Sequence, residues 1–320
     1  MNVNSGMNIV FMGTPAFAVP PLIALLDAGY RVAAVVTQPD RPTGRKRILT
    51  PSPVKEEALI RGIPVLQPAR LRDPEAVAEL ERYKPDLIVT AAYGQILPKD
   101  VLAMPKIGCI NVHGSLLPKY RGGAPIQRSI MNGERLTGVT IMHMAEGLDT
   151  GDIISAVEVP IGDEDDAGTM FARLSEAGAE LLLQTIPALV TGDAPRTPQN
   201  EAEATYSPNL TRDDERIDWS RSAPDIYNQL RGLSPRPGAF TYWNGEVFKI
   251  RKAKKPEERT ASAAPGTVLA IGADGLSIAC GSGVFVATEV QPAGKKPMPV
   301  SEFAKGGQLK PGDMLGKAEG

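Results

Sequence analysis

The sequence predicts an α/β fold, a Rossmann-like parallel-sheet domain followed by a smaller C-terminal β-barrel of OB-like type. Three observations carry this. Over the first 160 of the 320 residues, short apolar runs alternate with amphipathic stretches, the rhythm of strands linked by crossover helices. The stretch 191–208 is rich in Pro, Gly, Asn, Glu and Thr and has no apolar period, which marks a linker. Beyond it, short apolar runs are separated by glycines and prolines at the spacing of a small β-barrel. The expected organisation is an α/β domain over 7–190, a linker over 191–208 and a barrel over 209–320. A chain of this length exceeds what one hydrophobic core usually organises.

The elements follow in order. Asn8–Met12 reads as a first strand, Gly13-Thr14-Pro15 as a turn with a proline at N1, and Phe17–Ala28 as a helix ended by Gly29. Arg31–Thr37, Pro64–Leu66, Asp86–Thr90 and Gly108–Val112 are further strands, with helices at Pro53–Arg61, Pro74–Arg82 and Gly123–Met131. Thr137–His143 and Asp152–Val159 form a strand pair across a polar loop, and a long helix runs from Ala167 to Val190. In the second domain a helix is expected at Pro224–Arg231. Strands are expected at Ala239–Trp243, Glu246–Arg251, Gly266–Ile271, Leu276–Ala279 and Val284–Val290.

Composition narrows the function classes. A 42% hydrophobic and 22% charged chain is an ordinary globular one, and no run approaches the roughly 18 apolar residues of a membrane span. The first residues, MNVNSGMNIV, do not form a secretory signal. The two cysteines, Cys109 and Cys280, fall in different predicted domains without metal or redox spacing, so a cytoplasmic protein without disulfides is expected. The two histidines and two cysteines offer no metal-ligand set, and no metal is expected. Net charge is −2, so any nucleic-acid contact must rest on local patches. Arg41, Arg45, Lys46 and Arg47 crowd one loop, and Lys249, Arg251, Lys252, Lys254 and Lys255 form a second group. Taken alone, such runs are more often solvated surface than binding sites.

The chemistry-bearing stretch is Cys109–Pro125. Asn111 and His113, two apart at the carboxyl end of an apolar strand, point to one side of the sheet at the edge where open parallel sheets bind ligands. An amide beside an imidazole, with Gly114 following, is equipment for polarising a carbonyl. Asp149 sits in a glycine-flanked loop and by itself reads as a turn aspartate. Gly13 lacks both GxGxxG and GxxxxGK[ST] contexts, so it reads as a tight turn rather than a nucleotide fingerprint. His143 reads as a strand-end structural residue.

These segments resemble the glycinamide-ribonucleotide-transformylase-like folate enzymes, whose pattern joins an Asn-x-His pair, an SLLP loop and a distant aspartate. The resemblance implies a formyltransferase domain in which Asn111, His113 and Asp149 are catalytic and Ser115, Leu116, Leu117 and Pro118 contact folate. It also implies that the loop of Tyr93, Gly94, Gln95, Ile96 and Leu97 walls the pterin pocket. The likeness to the tRNA-modifying members extends over MNIVFMGTPAFAVP, TQPDRPTGRKRILTPSPVK, YGQILP, CINVHGSLLPKYRGGAPIQRSI, GVTIMHMAEGLDTGDII and QPAGKKPM. It implies formyl transfer from 10-formyltetrahydrofolate, a co-substrate rather than a permanently bound cofactor, to the amino group of methionyl-initiator tRNA by a monomer.

Glycinamide ribonucleotide and a nucleotide-linked amino sugar are the alternative acceptors. Amino-sugar formyltransferases share the two-domain organisation, so it is the basic loop and the QPAGKKPM segment that favour tRNA, with Arg41, Arg45, Lys46 and Arg47 expected at the acceptor stem and Lys249 and Lys252 on the tRNA backbone. The loop's Pro39, Pro42 and Gly44 predict irregular structure, mobile until RNA orders it. A non-catalytic RNA-binding protein would need a broken triad, and a nucleotide-dependent oxidoreductase the absent fingerprint.

Overall fold

The computed structural model describes residues 6–44, 46–257, 260 and 262–316. In chain order the elements are β1 (Asn8–Gly13), α1 (Val19–Asp27), β2 (Arg31–Val36), β3 (Arg41–Thr43), β4 (Ile48–Thr50), α2 (Pro53–Ile60), β5 (Val65–Leu66), α3 (Pro74–Glu81), β6 (Leu87–Ala91), α4 (Lys99–Leu102), β7 (Gly108–His113), α5 (Pro125–Met131), β8 (Leu136–His143), β9 (Ile153–Pro160) and α6 (Ala167–Thr191). There follow α7 (Arg212–Glu215), α8 (Ala223–Gly232), β10 (Ala239–Trp243), β11 (Glu246–Ala253), β12 (Val268–Gly272), β13 (Gly275–Ala279), β14 (Val284–Gln291), β15 (Met298–Pro299) and α9 (Val300–Ala304). The chain forms two compact units.

The first unit comprises residues up to Gly122, Thr137–Val159 and Phe171–Ser207. Its sheet runs β5-β2-β1-β6-β7-β8-β9, parallel from β5 to β7 and antiparallel from β7 to β8. The apolar runs of β1 and β6 are buried almost throughout because both faces of a parallel sheet are covered. Strand order reverses between β1 and β6, and their carboxyl ends meet where Gly13 pairs with Ala91. Open α/β sheets bind ligands at such a reversal. A Cβ on Gly13 would lie 2.6 Å from the Ala18 Cβ and 3.0 Å from the Ala91 carbonyl, so this glycine serves close packing. The first helix starts later than the sequence predicts: a 3₁₀ turn occupies Ala16–Ala18, and Pro20 and Pro21 sit in the first turn of α1, where their missing N–H groups cost nothing.

The second unit comprises 123–136, 160–170 and 208–320. Its antiparallel path is β10-β11-β14-β13-β12, with β15 beside β14. Among the described residues no ladder joins β10 to β12. Phe248, Ile250, Phe285 and Val290 are at most 1% exposed, and Trp219 packs edge-on to Phe285 while its indole N–H donates to Thr241 Oγ1 at 3.0 Å. Each fully buried side chain of this size contributes about 1.5–3 kcal/mol. Helix α5, expected with the catalytic domain, packs on α8: a Cβ on Gly232 would meet Gln127 O at 2.8 Å, and Arg128 holds Asp214 through two bonds of 2.6 and 2.9 Å.

The stretch 191–208, expected as a linker, runs with the first unit as far as Ser207. Thr197 bridges Ile153, and Tyr206 bridges Arg121.

Both thiols are buried, and burial pushes the Cys109 pKa up to about 12 and that of Cys280 to about 11. Thiolate, the reactive form, is therefore scarce at neutral pH. In native protein at pH 7.5 neither cysteine is expected to react with a thiol-specific disulfide reagent within minutes, and both should react in denaturant. Fast native labelling of either would contradict the packing described.

Candidate active site

Strand β7 extends one residue beyond the predicted Val112 and ends on His113, placing Asn111 and His113 on one side at the carboxyl edge. Asn111 lies beside Thr90 of β6, whose hydroxyl donates to Asn111 Oδ1 at 2.8 Å. With its oxygen occupied, the amide is oriented so that its NH₂ is the free end.

His113 is 5% exposed. Its Nε2 lies 3.0 Å from the Tyr120 carbonyl, which can only accept, so Nε2 carries the hydrogen. Nδ1 then faces Asp149 Oδ2 at 3.7 Å. Asp149 adopts a left-handed backbone conformation, φ 51°, which aspartate tolerates better than most residues. Its Oδ2 also accepts the Gly122 N–H at 2.8 Å. The three residues assembled from strand β7 and the 147–151 loop thus share one site within the first unit.

The two loops expected to hold folate leave β6 and β7 at the same edge of the sheet. Ser115 is fully buried and spends its hydroxyl on Lys119 O at 2.7 Å, while Thr140 Oγ1 donates to Ser115 O and accepts from Leu117 N. Leu116 packs against Gly138, where a Cβ would stand 2.5 Å from Leu116 Cδ2. Pro118 is half-buried, and its carbonyl accepts from Thr205 N at 3.3 Å. In the other loop Tyr93 is buried, its hydroxyl has no partner among the described residues, and burial raises its pKa to about 12. The Tyr93 carbonyl accepts from Thr14 Oγ1 and Gln38 Nε2. Gly94 takes φ 88°, Gln95 bonds to Leu71 N and Pro68 O, Leu97 joins the core under β1 and β6, and Ile96 is 82% exposed. Several of these side chains therefore build the loops, leaving backbone groups and Ile96 as surface.

The basic loop differs from its expectation of irregular structure. Arg41–Thr43 and Ile48–Thr50 pair as an antiparallel hairpin, with Thr43 and Thr50 hydroxyls 2.5 Å apart. Pro42 is tolerated because a two-stranded ribbon has only edges, and Gly44 at φ 67° makes the turn. Arg41, Lys46 and Arg47 are exposed, as are Ile48 and Leu49; Arg45 lies outside the described residues. In the second unit the Lys249 ammonium donates to Pro237 O at 3.2 Å, and Lys252, largely exposed, stands 3.6 Å from Glu289.

His143 ends β8 buried, its Nε2 without a partner among the described residues, and burial, aided by the charge of Arg196, lowers its pKa. Among the described residues no cluster of His, Cys, Asp and Glu is placed to hold a metal ion, and no helix is long and apolar enough to cross a membrane. Sequence reasoning missed Thr90, the Tyr120 carbonyl and the Gly122 N–H. Thr90 had a signal, a lone hydroxyl closing an apolar strand, whereas the two backbone groups had none.

An amide, an imidazole and a carboxylate gathered at the carboxyl edge of an α/β sheet are groups chemically able to donate to a carbonyl oxygen and to move a proton. Family comparison specifies the chemistry. Residues 7–186 match the formyl transferase family and residues 209–308 its C-terminal domain, so the chain belongs to the formyl transferase family. It is 54% identical to the methionyl-tRNA formyltransferase of Halalkalibacterium halodurans over 98% of this chain and 100% of that one. It is likewise 54% identical to the enzyme of that name from Bacillus subtilis, over 96% and 97%. Among solved structures, an N-formyltransferase from Helicobacter canadensis, crystallised with folinic acid and dTDP-3-aminofucose, shares the fold with a TM-score of 0.66 at 20% identity, over 88% of this chain and 99% of that one.

Proposed function

We propose that the chain transfers the formyl group of 10-formyltetrahydrofolate to the amino group of methionyl-initiator tRNA, supporting translation initiation. The observation that carries this reading is the full-length likeness to methionyl-tRNA formyltransferases, spanning both formyl transferase segments.

The site geometry supports a division of labour. The amine nitrogen attacks the formyl carbon, and the carbonyl oxygen gains negative charge. Asn111, its Oδ1 tied to Thr90, offers Nδ2–H to that oxygen; such a donor is typically worth about 3–4 kcal/mol of barrier. His113 has its Nε2–H engaged by Tyr120 O, so Nδ1 is the nitrogen open to proton transfer. It takes the proton released by the amine, the Asp149 carboxylate stabilises the imidazolium, and the same proton passes to the folate nitrogen as its bond to carbon breaks. Folate enters as a consumed co-substrate, with no permanently bound cofactor in this reading. Ser115–Pro118 and Tyr93–Leu97 border its pocket at the ends of β7 and β6.

The basic segment of Arg41, Arg45, Lys46 and Arg47 is assigned to the acceptor stem, and the C-terminal sheet, read as an OB-like barrel, to the tRNA backbone. A monomer in the cytoplasm completes the reading, suited to two buried free thiols. Arg45→Ala is expected to lower kcat/KM for charged tRNA about tenfold to a hundredfold, the value of one charge-assisted contact, and to spare a minimal amine acceptor. Loss of Lys252, more open than Lys249, should weaken all tRNAs alike and reduce the salt slope by somewhat under one unit. The deciding experiment offers the protein 10-formyltetrahydrofolate with charged initiator tRNA, glycinamide ribonucleotide or a nucleotide-linked amino sugar. Selective formylation of methionyl-tRNA is expected, and preferential formylation of either small amine would refute the assignment.

A further inference from the structure

Asp149 belongs to an exposed loop between two strands, in a left-handed backbone conformation that costs even an aspartate some energy and so benefits from support. Resting on the assignment of Asp149 to the proton path, we propose that Gln199, held by the Arg121–Glu201 ion pair, is the positioning residue that sets the Asp149 carboxylate against His113.

The geometry is specific to a carboxamide. Gln199 Nε2 donates to Asp149 O and to Gly151 O, both at 2.8 Å, so its two hydrogens span the loop on either side of Thr150. Its Oε1 accepts from Arg121 Nε at 3.1 Å and Nη2 at 2.8 Å. The guanidinium can only donate and the two carbonyls can only accept, so the amide has one permitted orientation. Arg121 is itself fully buried, and its Nη1 and Nη2 also grip Glu201 in a two-point pair of 2.9 and 2.7 Å. A planar fork of this kind is a rigid support, since lysine could match neither partner pairwise.

A second route reaches the same carboxylate. The Arg121 backbone is stitched into the strip that carries Gln199, with Arg121 N donating to Thr205 O at 2.8 Å and Ser207 N to Arg121 O at 2.6 Å. The next residue, Gly122, donates its N–H to Asp149 Oδ2. Gly122 stands at φ 114°, and a Cβ there would meet Ser207 O at 2.9 Å, so close passage of the strip requires glycine. The same strip touches the other side of the pair: Thr205 Oγ1 accepts from Tyr120 N at 2.8 Å, and Ser207 Oγ donates to the Tyr120 carbonyl that holds His113. Residues 199–207, polar and without periodicity, thereby tie the supports of His113 and Asp149 to one backbone.

The test is a double-mutant cycle in the full chain, with 10-formyltetrahydrofolate and charged initiator tRNA. Gln199→Met keeps length and removes both donors. It is expected to lower kcat about tenfold to a hundredfold, the effect of misplacing a reacting group by up to an ångström, with KM for both substrates changed less than about twofold. In an Asp149→Asn background the same substitution should lower kcat by less than about threefold, because residues acting through one another are non-additive. Glu201→Gln, at a largely exposed site, provides a variant that should fold normally and show a smaller loss of the same kind. Equal losses in both backgrounds would make Gln199 merely structural and overturn the proposal. Wild-type turnover in Gln199→Met beside an impaired Asp149→Asn would overturn it while leaving the role of Asp149 standing. Wild-type turnover in Asp149→Asn would instead remove the reading of the site on which it rests.

Discussion

Turnover in His113→Ala is expected to fall by about 10²–10⁴, the contribution of a positioned acid–base group, with tRNA affinity little changed. In the proposed mechanism the imidazole moves the proton between amine and folate nitrogen, and its removal also leaves the Tyr120 carbonyl and the Asp149 carboxylate facing an empty space. Asn111→Ala should cost about 10²–10³ through loss of the oxyanion donor. Asp149→Ala should cost at least about 10², because the carboxylate favours the charged imidazole during proton transfer. Single-turnover formylation at saturating tRNA separates these losses from binding. A variant with near-normal turnover removes that residue from the mechanism. Thr90→Val, which keeps shape and deletes the hydroxyl that orients Asn111, should reproduce part of the Asn111 loss without the same change in His113 chemistry.

Gly151→Ala should abolish most turnover for a different reason. A Cβ at this position would occupy the place of the His143 carbonyl oxygen, so the loop carrying Asp149 must move away from β8. Backbone cannot yield as a flexible side chain does, and a shift near an ångström at the carboxylate corresponds to about a hundredfold in rate. The same displacement pulls Gly151 O from Gln199. Gly192→Ala, where no atom lies within 4 Å of the added carbon although φ is 81°, serves as the comparison. Its turnover should stay near normal with a modest loss of stability. A Gly151→Ala enzyme with full turnover and unchanged melting temperature would mean that the loop is not held as described.

Most elements of the first unit were legible within two or three residues, because strands buried on both faces write long apolar runs and helices between them write caps and prolines. Asn111 and His113 were legible for the same reason: strand periodicity alone puts residues two apart on one side. The hairpin at 41–50 was hidden by Pro42 and Gly44, which usually end regular structure but are harmless in a ribbon made only of edges. Helix α5 and the segment 160–170 precede the expected domain boundary yet pack with the second unit, which no local signal announces.

What the sequence by itself determined is the α/β class, the strand that carries Asn111 and His113, and, through resemblance, the formyl transferase family. These depend on local periodicity and on motifs contiguous along the chain. Only the tertiary structure decided which nitrogen of His113 is engaged, what orients Asn111, and that the polar stretch around Gln199 supports Asp149. Those contacts join residues from 7 to 80 positions apart through backbone carbonyls and single side-chain amides. Backbone groups are the same at every position, and an isolated glutamine has no periodicity, so neither leaves a trace until the chain is folded.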